Sequence, residues 1–191
     1  VSILTESGWL SALIPESYGG SGLPLRAAAV ILETIHASGG SAAACHAQMY
    51  TMGTVLRHGT EAQKASFLPG IARGELRLQA FGVTEPTSGT DTTALRTTAR
   101  RDGDDYVVNG QKVFISRTEH SDLMVLLVRT SAREDSARHT DGMSVLLVDL
   151  REAPDVRIER ALRPADLEPE VLAYLSPRSS HPWFVGRDEG R

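Results

Sequence analysis

The spacing of apolar residues changes character once along the chain, near Gly74. Before it the pattern is helical, with alanine-rich segments broken by glycine and proline. A short first helix is predicted to end before Pro15, and Pro15 to Gly22 reads as a loop. Pro24 suits the first turn of a helix, where a missing amide is harmless, and that helix is expected to reach about Ser38. Ala27, Val30, Ile31 and Ile35 recur at three- and four-residue steps and form its expected buried stripe. A second helix is predicted over Ser41 to Arg57, with Gly59 ending it in the left-handed conformation. Thr60 and Gln63 then have the spacing of a capping box, and Pro69 is expected to limit the helix that they open.

After Gly74, β-branched residues and alternating patterns take over. Leu78 to Val83 and Thr92 to Arg100 are predicted strands, followed by a polar turn from Asp102 to Asp105. Tyr106 to Val108 and Gln111 to Ile115 are expected to form a hairpin about Asn109–Gly110, a pair that tolerates the positive φ of a type I′ turn. Leu123 to Arg129 and Met143 to Leu150 read as apolar strands central in a sheet, with a charged loop from Thr130 to Asp141 between them. Val156 to Ile158 and Val171 to Leu175 are weaker strand candidates, because prolines interrupt any longer element. The fold class is therefore α+β: a helical domain over 1–74, then a β-barrel or sandwich-like domain over 75–191.

Composition narrows the function. The net charge of -4 and dispersed Lys and Arg argue against nucleic acid. The one cysteine, Cys45, rules out a disulfide within the chain and suits a reducing, cytoplasmic setting. The apolar runs fall far short of the roughly 20 residues that span a bilayer. No secretory leader is visible, and the chain opens without methionine, as a fragment would. The six histidines show no metal-ligand spacing, Gly19, Gly20 and Gly22 lack the rest of a phosphate loop, and no Gly-x-Ser-x-Gly elbow occurs.

Two stretches carry candidate chemistry. Gln79 to Asp91 runs from a strand into a glycine-containing loop that offers amides and hydroxyls to a ligand, or that merely closes turns on itself. In Phe114-Ile115-Ser116, strand alternation would place the aromatic ring and the hydroxyl on one face, suited to a flat heteroaromatic ligand. An ordinary core role for Phe114 is the plain alternative.

Together, Thr84-Glu85-Pro86, Gly89-Thr90-Asp91, Tyr106, Asn109-Gly110-Gln111-Lys112 and Phe114-Ile115-Ser116 resemble the signature of the acyl-CoA dehydrogenase family at matching spacing. Ile14-Pro15-Glu16 with Tyr18-Gly19-Gly20 and Gly22 resembles a loop of that family's N-terminal helical domain. Val185 to Gly190 resembles the segment that leaves its β domain.

The resemblance implies an oxidoreductase of fatty acid metabolism that uses FAD to desaturate an acyl-CoA thioester, with an electron-transfer flavoprotein as acceptor and a homo-oligomeric assembly. It implies cofactor contacts from Phe81, Val83, Thr84, Gly89, Thr90, Phe114, Ile115 and Ser116, with Thr90 also touching substrate. Phe114 stands where the family has a tryptophan beside the flavin. Ser116 stands where it has a threonine on flavin N5, and Thr90 where it has a serine. The family's catalytic glutamate belongs to a C-terminal four-helix domain without a counterpart here, so the chain alone is expected to be inactive. Glu85 and Asp91 are read as scaffold and not as replacements for it. A non-catalytic flavin-binding or partner subunit, and a flavin monooxygenase or oxidase of the same fold, are the alternatives.

Overall fold

A computed structural model describes residues 2–103, 105–134, 137–153, 156–158 and 173–175. The helical part contains α1 (Ser2–Glu6), α2 (Leu25–Ala37), α3 (Ala43–His58) and α4 (Glu61–Ala72). The alanines of α3 allow close approach: Ala44, Cys45, Ala47, Met49, Met52 and Val55 are all buried. α2 packs through Ala28, Ile31, Leu32 and Ile35, an i, i+3, i+4, i+7 stripe against Leu10, Ala12, Ala44 and Met49. Val30 lies about 200° from Ala28 around the helix and is 60% exposed, so it does not belong to the stripe expected for it.

Two helix ends also differ from expectation. Gly59 has an extended backbone (φ -67°, ψ 145°). Its glycine identity follows from crowding, because a Cβ there would sit 2.6 Å from the Val55 carbonyl oxygen. Pro69 lies inside α4, which continues to Ala72. The final turn is held by burial of Phe67, Leu68 and Ile71, enough to outlast the amide that proline lacks. The capping box forms as expected: the Gln63 amide donates to Thr60 Oγ1 at 3.2 Å, and the Thr60 amide donates to Gln63 Oε1 at 2.9 Å.

The sheet comprises β1 (Leu78–Gly82), β2 (Thr98–Asp102), β3 (Asp105–Lys112), β4 (Leu123–Arg129), β5 (Met143–Asp149), β6 (Val156–Ile158) and β7 (Ala173–Leu175). Their order is β1-β4-β2-β3-β7-β6, with β5 also on β4. β4 is its centre. β1 and the start of β2 follow one another as parallel neighbours, while β5 pairs antiparallel with β4 over its whole length. That explains the unbroken apolar run of β4, since both its faces are covered. On one face Leu78, Leu123, Val125 and Leu147 meet Ile14, Met52, Leu68 and Ile71 of the helical part. On the other, Ala80, Ala99, Ile115, Met124, Leu126 and Val128 pack together. β5 is not central, because β4 is its only strand partner among the described residues.

The expected hairpin at Asn109–Gly110 does not exist. Those residues continue β3, with Asn109 opposite Thr98 and Gly110 opposite Leu175. The true hairpin joins β2 to β3, with Gly103 at φ 65° in its turn. Gly110 is glycine for another reason, since a Cβ there would lie 2.3 Å from Thr97 Oγ1. Thr92–Ala94 forms a 3₁₀ turn instead of a strand, because the Asp91 carboxylate accepts from both the amide and the hydroxyl of Thr93. The weak strand candidates lie where they were expected, although 171–172 and the 185–190 motif fall outside the described residues. Among the described residues, no helix is long and apolar enough to cross a membrane.

Candidate functional site

The loop after β1 is fastened from within by one carboxylate. Glu85, buried at 5% exposure, accepts hydrogen bonds from the Arg96 amide (2.6 Å), the Thr97 amide (2.9 Å), the Thr97 hydroxyl (2.6 Å) and Lys112 Nζ (2.9 Å). Burial alone would raise its pKa. The hydrogen bonds from Thr97, Lys112 and the two amides outweigh burial and hold it below the usual carboxylate range. Lys112 is fully buried and, among the described residues, has Glu85 and the Val83 carbonyl for acceptors; burial draws its pKa down despite the attraction of Glu85. Backbone bonds between Glu85 and Ser88 in both directions close the turn, and Ser88 Oγ donates to the Asp91 carbonyl at 2.6 Å. Both carboxylates read as scaffold are thus engaged in scaffolding, Glu85 inside the loop and Asp91 on Thr93.

The second stretch meets this loop through one backbone bond, from the Val113 amide to the Thr84 carbonyl at 2.8 Å. It ties the segment that carries Phe114, Ile115 and Ser116 to the start of that loop, although not as a continuation of the strand. β3 ends at Lys112, and Phe114 (φ 56°) and Arg117 (φ 65°) are the two non-glycine residues with positive φ among the described residues. Such a backbone costs about 1–2 kcal/mol per residue. It throws the Phe114 ring outward to 77% exposure, leaves Ser116 exposed and turns Ile115 into the sheet core.

Thr84 and Val83 are half-buried, while Gly89 and Thr90 are exposed at the outer end of the loop. No hydrogen bond within the described residues occupies the hydroxyls of Thr84, Thr90 or Ser116. These free hydroxyls beside an outward aromatic face fit a planar ring with polar edges.

Phe81 projects from β1 toward α3, where its ring lies 6.1 Å from that of Tyr50, itself 5.2 Å from His46. These three rings form an aromatic wall between β1 and α3. Sequence reasoning missed Tyr50, although its four-residue spacing from His46 put both on one helix face. It also missed a polar chain behind the wall. Arg117 Nε donates to Gln79 Oε1 (2.6 Å), Gln79 Nε2 to Gln48 Oε1 (3.1 Å), and Gln48 Nε2 to the Leu10 carbonyl (3.2 Å). No local pattern announces that chain, because its members come from four separate elements.

Other candidates resolve simply. Gly20 is packed against Ile14, where a Cβ would meet the carbonyl oxygen at 2.1 Å, so the glycine loop is connective. Burial pushes the Cys45 thiol up and leaves it a core residue. Among the described residues, no group of three or more His, Cys, Asp or Glu is placed to hold a metal ion.

Comparison with known proteins identifies this architecture. Residues 1–75 match the model of the acyl-CoA dehydrogenase N-terminal domain, and residues 80–167 match that of the middle domain. The chain belongs to the acyl-CoA dehydrogenase family. It is 38% identical over 152 residues to the acyl-CoA dehydrogenase FadE26 of Mycobacterium tuberculosis, a match covering 78% of this chain and 36% of that protein. Against FadE29 of the same organism it is 48% identical over 105 residues, 54% of this chain and 26% of the relative. In structure it resembles an acyl-CoA dehydrogenase from Geobacillus kaustophilus (TM-score 0.81, 30% identity, 97% of this chain, 49% of that one). It also resembles a chain of the ChsE4-ChsE5 complex from Mycobacterium tuberculosis (TM-score 0.79, 33% identity, 99% of this chain, 48% of that one). The chain thus spans about half the length of those solved chains, and less of the two relatives.

Proposed function

We propose that this chain supplies the flavin-facing part of an FAD-dependent acyl-CoA dehydrogenase of fatty acid metabolism. The observation that supports the reading is the Val113–Thr84 bond, which ties the loop after β1 to the segment of Phe114 and Ser116, where the Phe114 ring is exposed and the Thr84 and Ser116 hydroxyls have no hydrogen bond among the described residues. Thr84 and the backbone around Val83 would bond the pyrimidine edge of the isoalloxazine, Ser116 its central nitrogen, and Phe114 and Phe81 would cover its faces. Gly89 and Thr90 would border the chain of the cofactor, with Thr90 also reaching the thioester. When bound, FAD supplies the acceptor for the hydride that leaves the β carbon of the acyl group.

The proton on the α carbon needs a carboxylate with free oxygens. Glu85 has four donors and Asp91 caps Thr93, so neither serves as that base, which this reading assigns to the family's C-terminal domain. An acyl-CoA substrate, an electron-transfer flavoprotein as acceptor, a homo-oligomer and a cytoplasmic setting belong to the same proposal.

Flavin retention tests it. The purified chain, mixed with excess FAD and passed through gel filtration, should elute with flavin absorbance. Ser116→Ala and Phe114→Ala should each weaken retention by about tenfold without unfolding the chain. Colourless elution of the folded wild-type chain would refute the proposal. Without a partner carrying the base, no steady acyl-CoA-dependent reduction of an acceptor is expected.

A further inference from the structure

Among the largest fully buried side chains is a lysine, Lys112 at the end of β3, with Glu85 as its ion-pair partner at 2.9 Å. Taking two charges out of water is costly, and an apolar pair of similar volume often packs at least as stably. Stability therefore does not account for a lysine at this position. What sets it apart from an apolar residue is an ammonium with three donors at the end of a long stem, so its use lies in what those donors hold.

They hold the residues on both sides of Thr84. Nζ donates to the Val83 carbonyl at 2.9 Å and to Glu85 Oε1 at 2.9 Å. The following residue, Val113, donates its amide to the carbonyl of Thr84 itself. Two consecutive residues at the end of β3 thus take oxygens from three consecutive residues after β1.

The two bonds made by Nζ are not equivalent. Glu85 keeps three other donors, the Arg96 amide and the amide and hydroxyl of Thr97, so the carboxylate would stay anchored without the lysine. Among the described residues, no other donor reaches the Val83 carbonyl. That carbonyl and the Thr84 amide belong to one planar peptide, and none of the described peptides is cis. An oxygen drawn inward to Lys112 therefore directs the Thr84 N–H the opposite way. Neither that amide nor the Thr84 hydroxyl has a hydrogen bond among the described residues. An amide that the protein leaves unsatisfied is served by water or by a ligand.

We infer that Lys112 is a positioning residue for the cofactor: by holding the Val83 carbonyl it fixes the peptide plane from which the Thr84 amide donates to the pyrimidine edge of the flavin. The inference rests on the flavin reading and deepens it. A donor fixed where negative charge gathers stabilises that charge, so this one should raise the reduction potential of the bound ring as well as its affinity.

The test uses the 191-residue chain, with FAD affinity followed by flavin fluorescence and the potential of the bound flavin by equilibration with a redox dye. Lys112→Met fills a similar volume without a donor. It should bind FAD about tenfold more weakly and move the bound flavin to a lower potential. Thr51→Val serves as the control for lost stability, because it removes a buried hydroxyl bond between α3 and the Leu78 carbonyl of β1. It should lower the unfolding midpoint while affinity stays within about twofold of wild type and the potential does not move. Circular dichroism establishes that each variant is folded. Lys112→Gln, shorter and uncharged, takes the place of Lys112→Met should that variant not fold, and the same losses are expected of it.

Weaker binding together with a lower potential in the lysine variant alone sustains the inference. A lysine variant with wild-type affinity or wild-type potential overturns it, as does an equal change in Thr51→Val. A folded wild-type chain that takes up no FAD removes the flavin reading and this inference with it. A wild-type chain that takes up FAD beside an unaltered lysine variant removes this inference alone.

Discussion

The loop after β1 and the segment after β3 lie side by side, joined at Thr84 and Val113, yet they are held by opposite means. The loop is gathered around a buried carboxylate that receives four donors. The segment has no such centre; two residues of unfavourable backbone geometry bracket it, and its largest side chain stands in the open. One wall of the cleft is therefore built to stay where it is, and the other stores local cost at the place where a ligand would recover it.

The sharpest way to break this comparison is to remove the centre of the fixed wall. Glu85→Gln leaves the Lys112 ammonium buried without its counter-charge and should cost about 3–5 kcal/mol in denaturant unfolding. The pH dependence follows from the same group. Because the folded state depresses the Glu85 pKa, its contribution is complete above the ordinary carboxylate value of about 4.3 and is lost as pH falls through the lowered folded value. The unfolding midpoint should decline over that acid range in the wild type, and Glu85→Gln should lack this component.

Next in size is Gly110→Val, which drives a side chain into Thr97 beside the same carboxylate. A loss of about 1–3 kcal/mol is expected, and an increase in stability would contradict the crowding described here.

The open wall should respond in the reverse sense. Phe114→Gly relieves a positive φ while giving up little buried surface, so it should raise stability by about 1 kcal/mol in the same denaturation assay and yet weaken FAD retention. Ser116→Ala should be the mildest for the fold, within about 0.5 kcal/mol of wild type, because the hydroxyl is exposed and bonds nothing in the described protein. A stability loss as large as that of Glu85→Gln from either change would erase the distinction between the walls.

What could be read from the sequence divides along the same line. Burial periodicity located the helices and β4, and the Thr60–Gln63 spacing gave a cap that forms as expected. The chemistry-bearing stretches were visible as residue types, and the Val113–Thr84 backbone bond ties the two stretches to each other. The geometry that joins them was not visible. Asn109–Gly110 has the composition of a tight turn, but Thr97 needed the empty space beside Gly110, and that neighbour is distant in sequence. The same kind of remote crowding placed Gly at 59, and tertiary packing carried α4 past Pro69. Alternation failed for Phe114 and Ser116 because the strand had already ended at Lys112. Arg96, Arg100, Arg101, Arg129 and Arg133 are scattered in sequence and line one groove only because β2 and the loop after β4 face one another.

The polar chain from Arg117 through Gln79 and Gln48 to Leu10, together with the Thr51 hydroxyl on the Leu78 carbonyl, stitches the sheet to the helices, and its Gln79, Gln48 and Thr51 links are buried. Peeling one layer away would strand amides in the other, so neither can loosen by itself at small cost. Melting should accordingly be a single event shared by both layers, and a tug on α3 should be felt directly beneath the residue that follows Ser116.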